Sequence, residues 1–161
     1  MIFVTVGTHE QQFNRLLKAV DELKINGEID EPVYMQTGYS TYVPEGCEYS
    51  KFLPYVEMKR RMNEADVVVT HGGPSSFIEA MAAGKVPVVV PRTASLGEHV
   101  NDHQMDFVRI VSERQGGLVP VYDISDLMTA IRRARELSCG ADFTSHNNDF
   151  CDDLIRLIEE L

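Results

Sequence analysis

The sequence has no tryptophan, only three cysteines and a shortage of positive charge. Against 25 Asp and Glu stand 15 Lys and Arg, for a formal net charge of −10. That balance argues against nucleic acid as a partner and against direct attraction to an anionic membrane surface. A nucleotide is not excluded, because a local pocket can override the global field. No apolar run approaches the ~18 residues of a membrane-spanning helix, so any membrane role is expected to come through a partner. Cys47, Cys139 and Cys151 are odd in number and irregularly spaced. With no CxxC or Cys/His ligand pattern, they read as reduced thiols of a cytoplasmic protein. The fingerprint GxGxxG and the phosphate loop GxxxxGK are both missing, so neither NAD nor ATP is indicated. Met1 to Gly7 has no basic lead and reads as a first strand, not a signal peptide.

What is present fits one globular unit. The 161 residues, 43% hydrophobic and 25% charged, suffice for one domain with a full core. Short β-branched runs alternate with helical periodicity. Strands are expected at Ile2–Val6, Val33–Gln36, Tyr49–Leu53, Val67–Thr70, Val86–Val90 and Leu118–Val121. Helices are expected at Gln12–Leu23, Pro54–Ala65 (with Val56, Met62 and Ala65 inward and Lys59, Arg60 and Arg61 solvated), Pro74–Ala83, about Val100–Arg114 with Val100 in the core, and a Ser125-capped segment to Leu137. A polar loop at 138–147 and a terminal helix at 148–161 complete the reading. Alternation of this kind implies an α/β fold, a Rossmann-like parallel sheet with helices on both faces. Ligand contacts then fall at the carboxyl ends of the strands, near Gly7, Gly38, Gly72 and the loop after Val90.

One stretch, Asp66 to Glu79, concentrates the chemistry. A buried strand runs into His71, Gly72 and Gly73, and Pro74 then opens a helix, a position where its missing N–H costs nothing. Free backbone N–H groups and the positive end of the helix dipole converge there, which suits an anion. Ser76 and Glu79 are three residues apart and share a helix face, separated by about 4.5 Å of axial rise. A phosphate at Ser76 would place an attached ribose near Glu79, a pattern fitting a nucleoside diphosphate. An ordinary tight turn with a solvated Glu79 gives the same pattern. Thr8, after Gly7, is either a second phosphate ligand or a turn residue.

The spacing His71-x4-Ser76-x2-Glu79 resembles the donor-binding box of GT-B glycosyltransferases that use UDP-sugars. Over about residues 1–136 the chain resembles the C-terminal half of glycosyltransferase family 28. It is most similar to the split members: the bacterial exopolysaccharide and capsule subunits of the PssE, EpsF and CpsG type, and the small subunit of the dolichol-linked GlcNAc transferase. The opening Phe3-Val-Thr-Val-Gly-Thr-His-Glu-Gln-Gln-Phe13 looks like their N-terminus. The resemblance implies diphosphate contacts from Gly7, Thr8, His71, Gly72, Gly73, Ser75 and Ser76. It implies a uracil site at Phe52 and Leu53, ribose contacts at Glu79, and sugar contacts at His103 and Gln104. From the residues alone, Phe52 and Leu53 also read as core and Gln104 as a solvated helix residue.

The implied activity is that of the catalytic, UDP-sugar-binding subunit of a two-component inverting hexosyltransferase. It would act on a lipid-diphosphate-linked saccharide in exopolysaccharide or capsule synthesis. Galactose and GlcNAc both fit as the hexose, and the exopolysaccharide likeness favours galactose. The implied partner is a membrane-anchored, acceptor-binding subunit that would recruit this cytoplasmic chain to the inner face of the membrane. Self-association into a homo-oligomer is also open. No DxD-like motif occupies the expected loop, so no metal or cofactor is expected. His9 is the candidate base, or else a turn residue, with the partner as the other source. In the terminal helix Leu154, Ile155, Ile158 and Leu161 form a candidate docking stripe, or pack on the chain's own sheet. The alternative function is a non-catalytic nucleotide-sugar-binding or regulatory subunit.

Overall fold

The computed structural model describes residues 1–140 together with 152–153, 155–157 and 159–160. The two valine-rich runs lie side by side in the sheet as β4 (Val67–His71) and β5 (Val88–Val90). β1 (Ile2–Thr5) pairs with β4 on the other side. β2 (Val33–Gln36), β3 (Glu48–Ser50) and β6 (Val119–Pro120) complete a six-stranded sheet in the order β3-β2-β1-β4-β5-β6. All five pairings are parallel. The helices are α1 (Asn14–Ile25), α2 (Tyr55–Glu64), α3 (Pro74–Ala82), α4 (His103–Arg114) and α5 (Leu127–Gly140).

Strand alternation divides the core between the two faces. Ile2, Val4, Val67, Val69, Val88 and Val90 point to one face and meet Leu16, Leu17 and Val20 of α1 and Leu127, Ala130, Ile131 and Ala134 of α5. Phe3 and Val68 point the other way, onto Met62 of α2 and Ala80 of α3. Val89 joins Phe77 and Met81 of α3 with Val108 and Val111 of α4. Both faces are therefore dry, as a parallel sheet requires. Each fully buried Leu, Phe or Met contributes about 1.5–3 kcal/mol.

Several sequence expectations need correction. Val56 is 78% exposed and Val100 75% exposed. The inward face of α2 runs through Met58 and Met62, with the C-cap Ala65 in the same cluster, and Val56 lies about 200° round from Met58. Val100 precedes α4, which starts only at His103, where the Asn101 side-chain oxygen accepts from His103 N–H at 3.1 Å. Arg61 is not solvated; its guanidinium lies 3.5 Å from the centre of the Tyr34 ring and pairs with Glu57. Asp123, not Ser125, makes the cap before α5: its carboxylate accepts from Ser125 N–H, and a single 3-10 turn precedes the helix. β5 begins at Val88, two residues later than expected, and α5 continues to Gly140. In the terminal segment Asp152, Asp153, Ile155–Leu157 and Glu159 are helical and Ile155 is exposed. Leu154, Ile158, Leu161 and Cys151 lie outside the described residues. Cys47 and Cys139 are free thiols.

The irregular loop between β2 and β3 is held by one buried acid. Asp21 of α1 accepts from Tyr42 O–H at 2.8 Å, Glu45 N–H at 2.9 Å and Gly46 N–H at 2.9 Å. Burial alone would raise its carboxyl; the donors from Glu45, Tyr42, Gly46 and Cys47 outweigh this and hold it below the ordinary range. A depressed folded value stabilises above the ordinary carboxylate pKa, and that contribution is lost as pH falls through the folded value. Asp21→Ala is therefore expected to cost about 1–3 kcal/mol near neutral pH and less near pH ~2. Chemical denaturation at the two pH values reads the difference.

Candidate functional site

In this strand order the connections from β1 and β4 leave in opposite directions, which opens a crevice at the carboxyl edge between them. A cavity of about 580 Å³ occupies that place. Gly7, Thr8 and His9 reach it from the β1 exit, and Gln36 from the end of β2. Phe52 and Leu53 line it from the β3–α2 connection, Met58 from α2, His71 from the end of β4, Ser75 and Ser76 from the first turn of α3, and Gln104 from α4. A neighbouring cavity of about 440 Å³ shares Gln104 and is lined also by Gly72, His99, Asn101 and His103. His103 and Gln104 thus divide, His103 facing the second cavity and Gln104 both. Gly73 lines neither cavity and lies under His71. Glu79 lies one helical turn beyond Ser75 and Ser76, partly buried. Its carboxylate lies close enough to Tyr55 to raise the Tyr55 phenol.

His71 is the centre of the turn. Its Nδ1 accepts from Gly73 N–H at 3.1 Å. A backbone N–H can only donate, so the ring proton sits on Nε2, which lies 3.2 Å from Ser76 Oγ. Ser76 therefore accepts from the imidazole and keeps its own hydroxyl hydrogen to donate into the cavity. Burial, with Arg92 nearby, pushes the imidazole down to about 3, so His71 is a neutral donor near pH ~7. The ring is sandwiched: a Cβ on Gly7 would come 2.4 Å from Nε2, and one on Gly73 2.1 Å from Cε1. No side chain caps the nine-residue α3, whose first helical residue is Pro74. Ser75 and Ser76 of this first turn line the cavity, and first-turn N–H groups have no partner within their own helix, the arrangement that receives a phosphate.

Gln36 and Gln104 hold the rims. Gln36 Nε2 donates to Gly7 O and Lys51 O, both at 3.0 Å, and its Oε1 accepts from Thr5 Oγ1. Gln104 Oε1 accepts from Gly72 N–H at 3.1 Å and Arg92 N–H at 3.0 Å. Sequence reasoning missed Gln36, and it missed Arg92, the largest fully buried side chain. Arg92 donates to Val6 O, Gln11 O, Gln12 O and Glu98 O, tying the β1 exit to the β5 exit. Glu98 is 1% exposed and pairs bidentately with Arg15. Burial lowers the Arg92 guanidinium to about 10, which leaves it charged at neutral pH. A charged residue two positions after a strand, at the ligand edge, was the available signal. His9 stacks on His99 with ring centres 4.5 Å apart and planes 15° apart. Among the described residues, no group of three or more His, Cys, Asp or Glu could hold a metal ion.

Residues 1–139 match the glycosyltransferase family 28 C-terminal domain. The chain belongs to this family. Over 117 residues it is 31% identical to the UDP-N-acetylglucosamine transferase subunit ALG13 of Homo sapiens, a match covering 67% of this chain and 10% of that one. Solved structures with the same fold include the glycosyltransferase of kitacinnamycin (TM-score 0.64, 19% identity, 99% of this chain and 42% of that one). The calicheamicin glycosyltransferase CalG4 gives a TM-score of 0.65 at 16% identity, over 99% of this chain and 40% of that one. MurG of Acinetobacter baumannii gives 0.55 at 16% identity, over 98% of this chain and 49% of that one. The family 28 chain thus spans less than half the length of these relatives. Its sheet and helices are equivalent to the C-terminal half of a GT-B fold.

Proposed function

We propose that this family 28 chain binds a UDP-sugar and serves as the catalytic, donor-binding subunit of a two-component inverting hexosyltransferase. The observation that carries the reading is the cavity itself: the uncapped α3 N-terminus and the His71–Ser76 pair face Phe52 and Leu53 across one pocket. The diphosphate would lie against the N–H groups of Ser75 and Ser76 and the Ser76 hydroxyl, with Thr8 opposite. Uracil would meet Phe52 and Leu53, the ribose would lie toward Glu79, and the hexose toward Gln104 and His103. In the transfer, an acceptor hydroxyl attacks the anomeric carbon as its bond to the diphosphate breaks. Charge develops on the departing UDP, where the helix terminus and Ser76 stabilise it. The hydroxyl proton passes to a base, either His9 or a group from the partner.

Similarity to a protein named as a transferase subunit supports a partner for this chain. In our reading that partner is membrane-anchored, brings the lipid-diphosphate-linked saccharide of exopolysaccharide or capsule synthesis, and draws the cytoplasmic chain to the inner membrane face. The hexose is galactose or GlcNAc, with no metal required.

Calorimetric titration of the chain with UDP and ADP tests the donor site: preference for UDP is expected, and equal or absent binding would overturn it. Glu79→Ala should weaken UDP binding by about 1–3 kcal/mol if the carboxylate holds the ribose, and an unchanged affinity removes that assignment. Binding without turnover, when partner, UDP-hexose and lipid acceptor are combined, would instead identify a non-catalytic nucleotide-sugar-binding or regulatory subunit.

A further inference from the structure

The larger cavity has a charge problem. A diphosphate brings at least two negative charges, yet among the described residues no Lys or Arg lines the pocket. The α3 terminus offers roughly half a unit of positive charge. The buried Arg92 spends both terminal nitrogens on backbone carbonyls and cannot reach a ligand. His71 is fixed neutral, with Nδ1 accepting from Gly73 N–H. That leaves His9 as the lining group able to become a cation. Its Nε2 lies 2.9 Å from Gln11 Oε1. A carboxamide oxygen only accepts, so Nε2 carries the proton and Nδ1 is open to a second one.

The surroundings of His9 suit that charge. On its own loop the next residue, Glu10, is exposed. From β4 comes His71, held neutral. From the segment after β5 come His99, Arg92 and Glu98, whose carboxylate is taken up by Arg15 and Thr93 N–H. The His99 ring lies parallel to His9, and its Nδ1 faces Asn101 N–H at 3.4 Å. Burial first, then the charges of His9 and Arg92, lowers His99. His99 is thus disfavoured as a cation, and its flat face is left to support a charged neighbour.

We infer that His9 is the cationic contact for the diphosphate, taking up a proton as the ligand enters, and that His99 is the positioning residue that holds its ring by stacking. This rests on the donor-site reading and deepens it. A protonated His9 cannot also accept the acceptor's proton, so the base of the transfer then belongs to the partner.

The test is calorimetric titration of the full chain with UDP-GlcNAc, UDP-galactose and uridine from about pH 6 to about pH 8, a range in which the diester diphosphate does not titrate but histidine does. Affinity for the tighter of the two UDP-sugars should fall by roughly fivefold or more as pH rises, while uridine stays level. His9→Gln should bind at the wild-type high-pH level throughout. His99→Ala should flatten the slope, and His99→Phe, which keeps a ring to stack on, should restore it. If His9→Gln does not fold, the His9 ring signals in wild-type NMR spectra decide: the tighter of the two UDP-sugars, at saturation, should move them to the imidazolium position near pH ~7. A level UDP-sugar profile, a slope that survives in His9→Gln, or unmoved ring signals overturns the inference. Failure of all three uridine compounds to bind would instead overturn the donor-site reading.

Discussion

Arg92→Met is expected to destabilise the folded chain by about 3–5 kcal/mol, read as a lower urea midpoint at unchanged slope. The side chain is 0% exposed, and its guanidinium is the shared donor for four carbonyls. Nη2 donates to Val6 O at 2.7 Å; Nη1 donates to Gln11 O at 2.8 Å, Gln12 O at 3.2 Å and Glu98 O at 3.0 Å. The same group lies 4.8 Å from the centre of the Phe13 ring. Methionine preserves much of the volume and the contact with Phe13 but supplies no donor, so buried carbonyls of two loops are stranded. A typical domain has only about 5–15 kcal/mol in total, so the loss approaches the limit of folding. Arg92→Lys should fall between wild type and Arg92→Met: an ammonium has three donors but lacks the planar fork that serves two directions at once. The cost should also appear in function. Val6 O lies one residue before Gly7, so slackening this tie loosens the glycine turn of the cavity. UDP affinity should fall for Arg92→Lys even where the chain remains folded.

Arg92 also marks the boundary of what the residues disclose. The central strands are legible because a parallel sheet covered on both faces leaves continuous β-branched runs such as Val67–Val69 and Val88–Val90. The turn after β4 is legible because glycine, proline and serine there each have a local backbone reason. The chain's small amphipathic errors are physical too. Val56 carries the right residue type for a core, but helix geometry sets its direction, and the phase of α2 is decided by Met58 and Met62. Long-range polar ties leave no such trace. Arg15 and Glu98 are 83 residues apart and Arg92 reaches back 86 residues to Val6. Within the cavity, the approach of the β1 and β4 turns follows from strand order. The division of His103 and Gln104 between two cavities depends on side-chain rotamers, which spacing does not encode.

Gly7→Ala carries the second large effect, about 2–5 kcal/mol of stability, and it can be separated into two physical parts. Gly7 has φ +74°, a left-handed conformation that costs an L side chain about 1–2 kcal/mol. Its new Cβ would also stand 2.4 Å from His71 Nε2, an overlap that forces the imidazole to move; overpacking of this kind costs about 1–3 kcal/mol. Gly73 isolates the second part. Its φ of −70° and ψ of 126° are ordinary for alanine, yet its Cβ would lie 2.1 Å from His71 Cε1. A double-mutant cycle with His71→Ala therefore distinguishes them. With the ring removed, Gly73→Ala should become nearly neutral, whereas Gly7→Ala should keep the backbone share of its cost. If Gly73→Ala stays equally destabilising without the ring, the sandwich is not what requires glycine there. With His71 present, either alanine displaces the imidazole from Ser76 and should weaken UDP binding as well. The two glycines are thus the walls that hold His71 neutral, oriented and hydrogen-bonded at the mouth of α3.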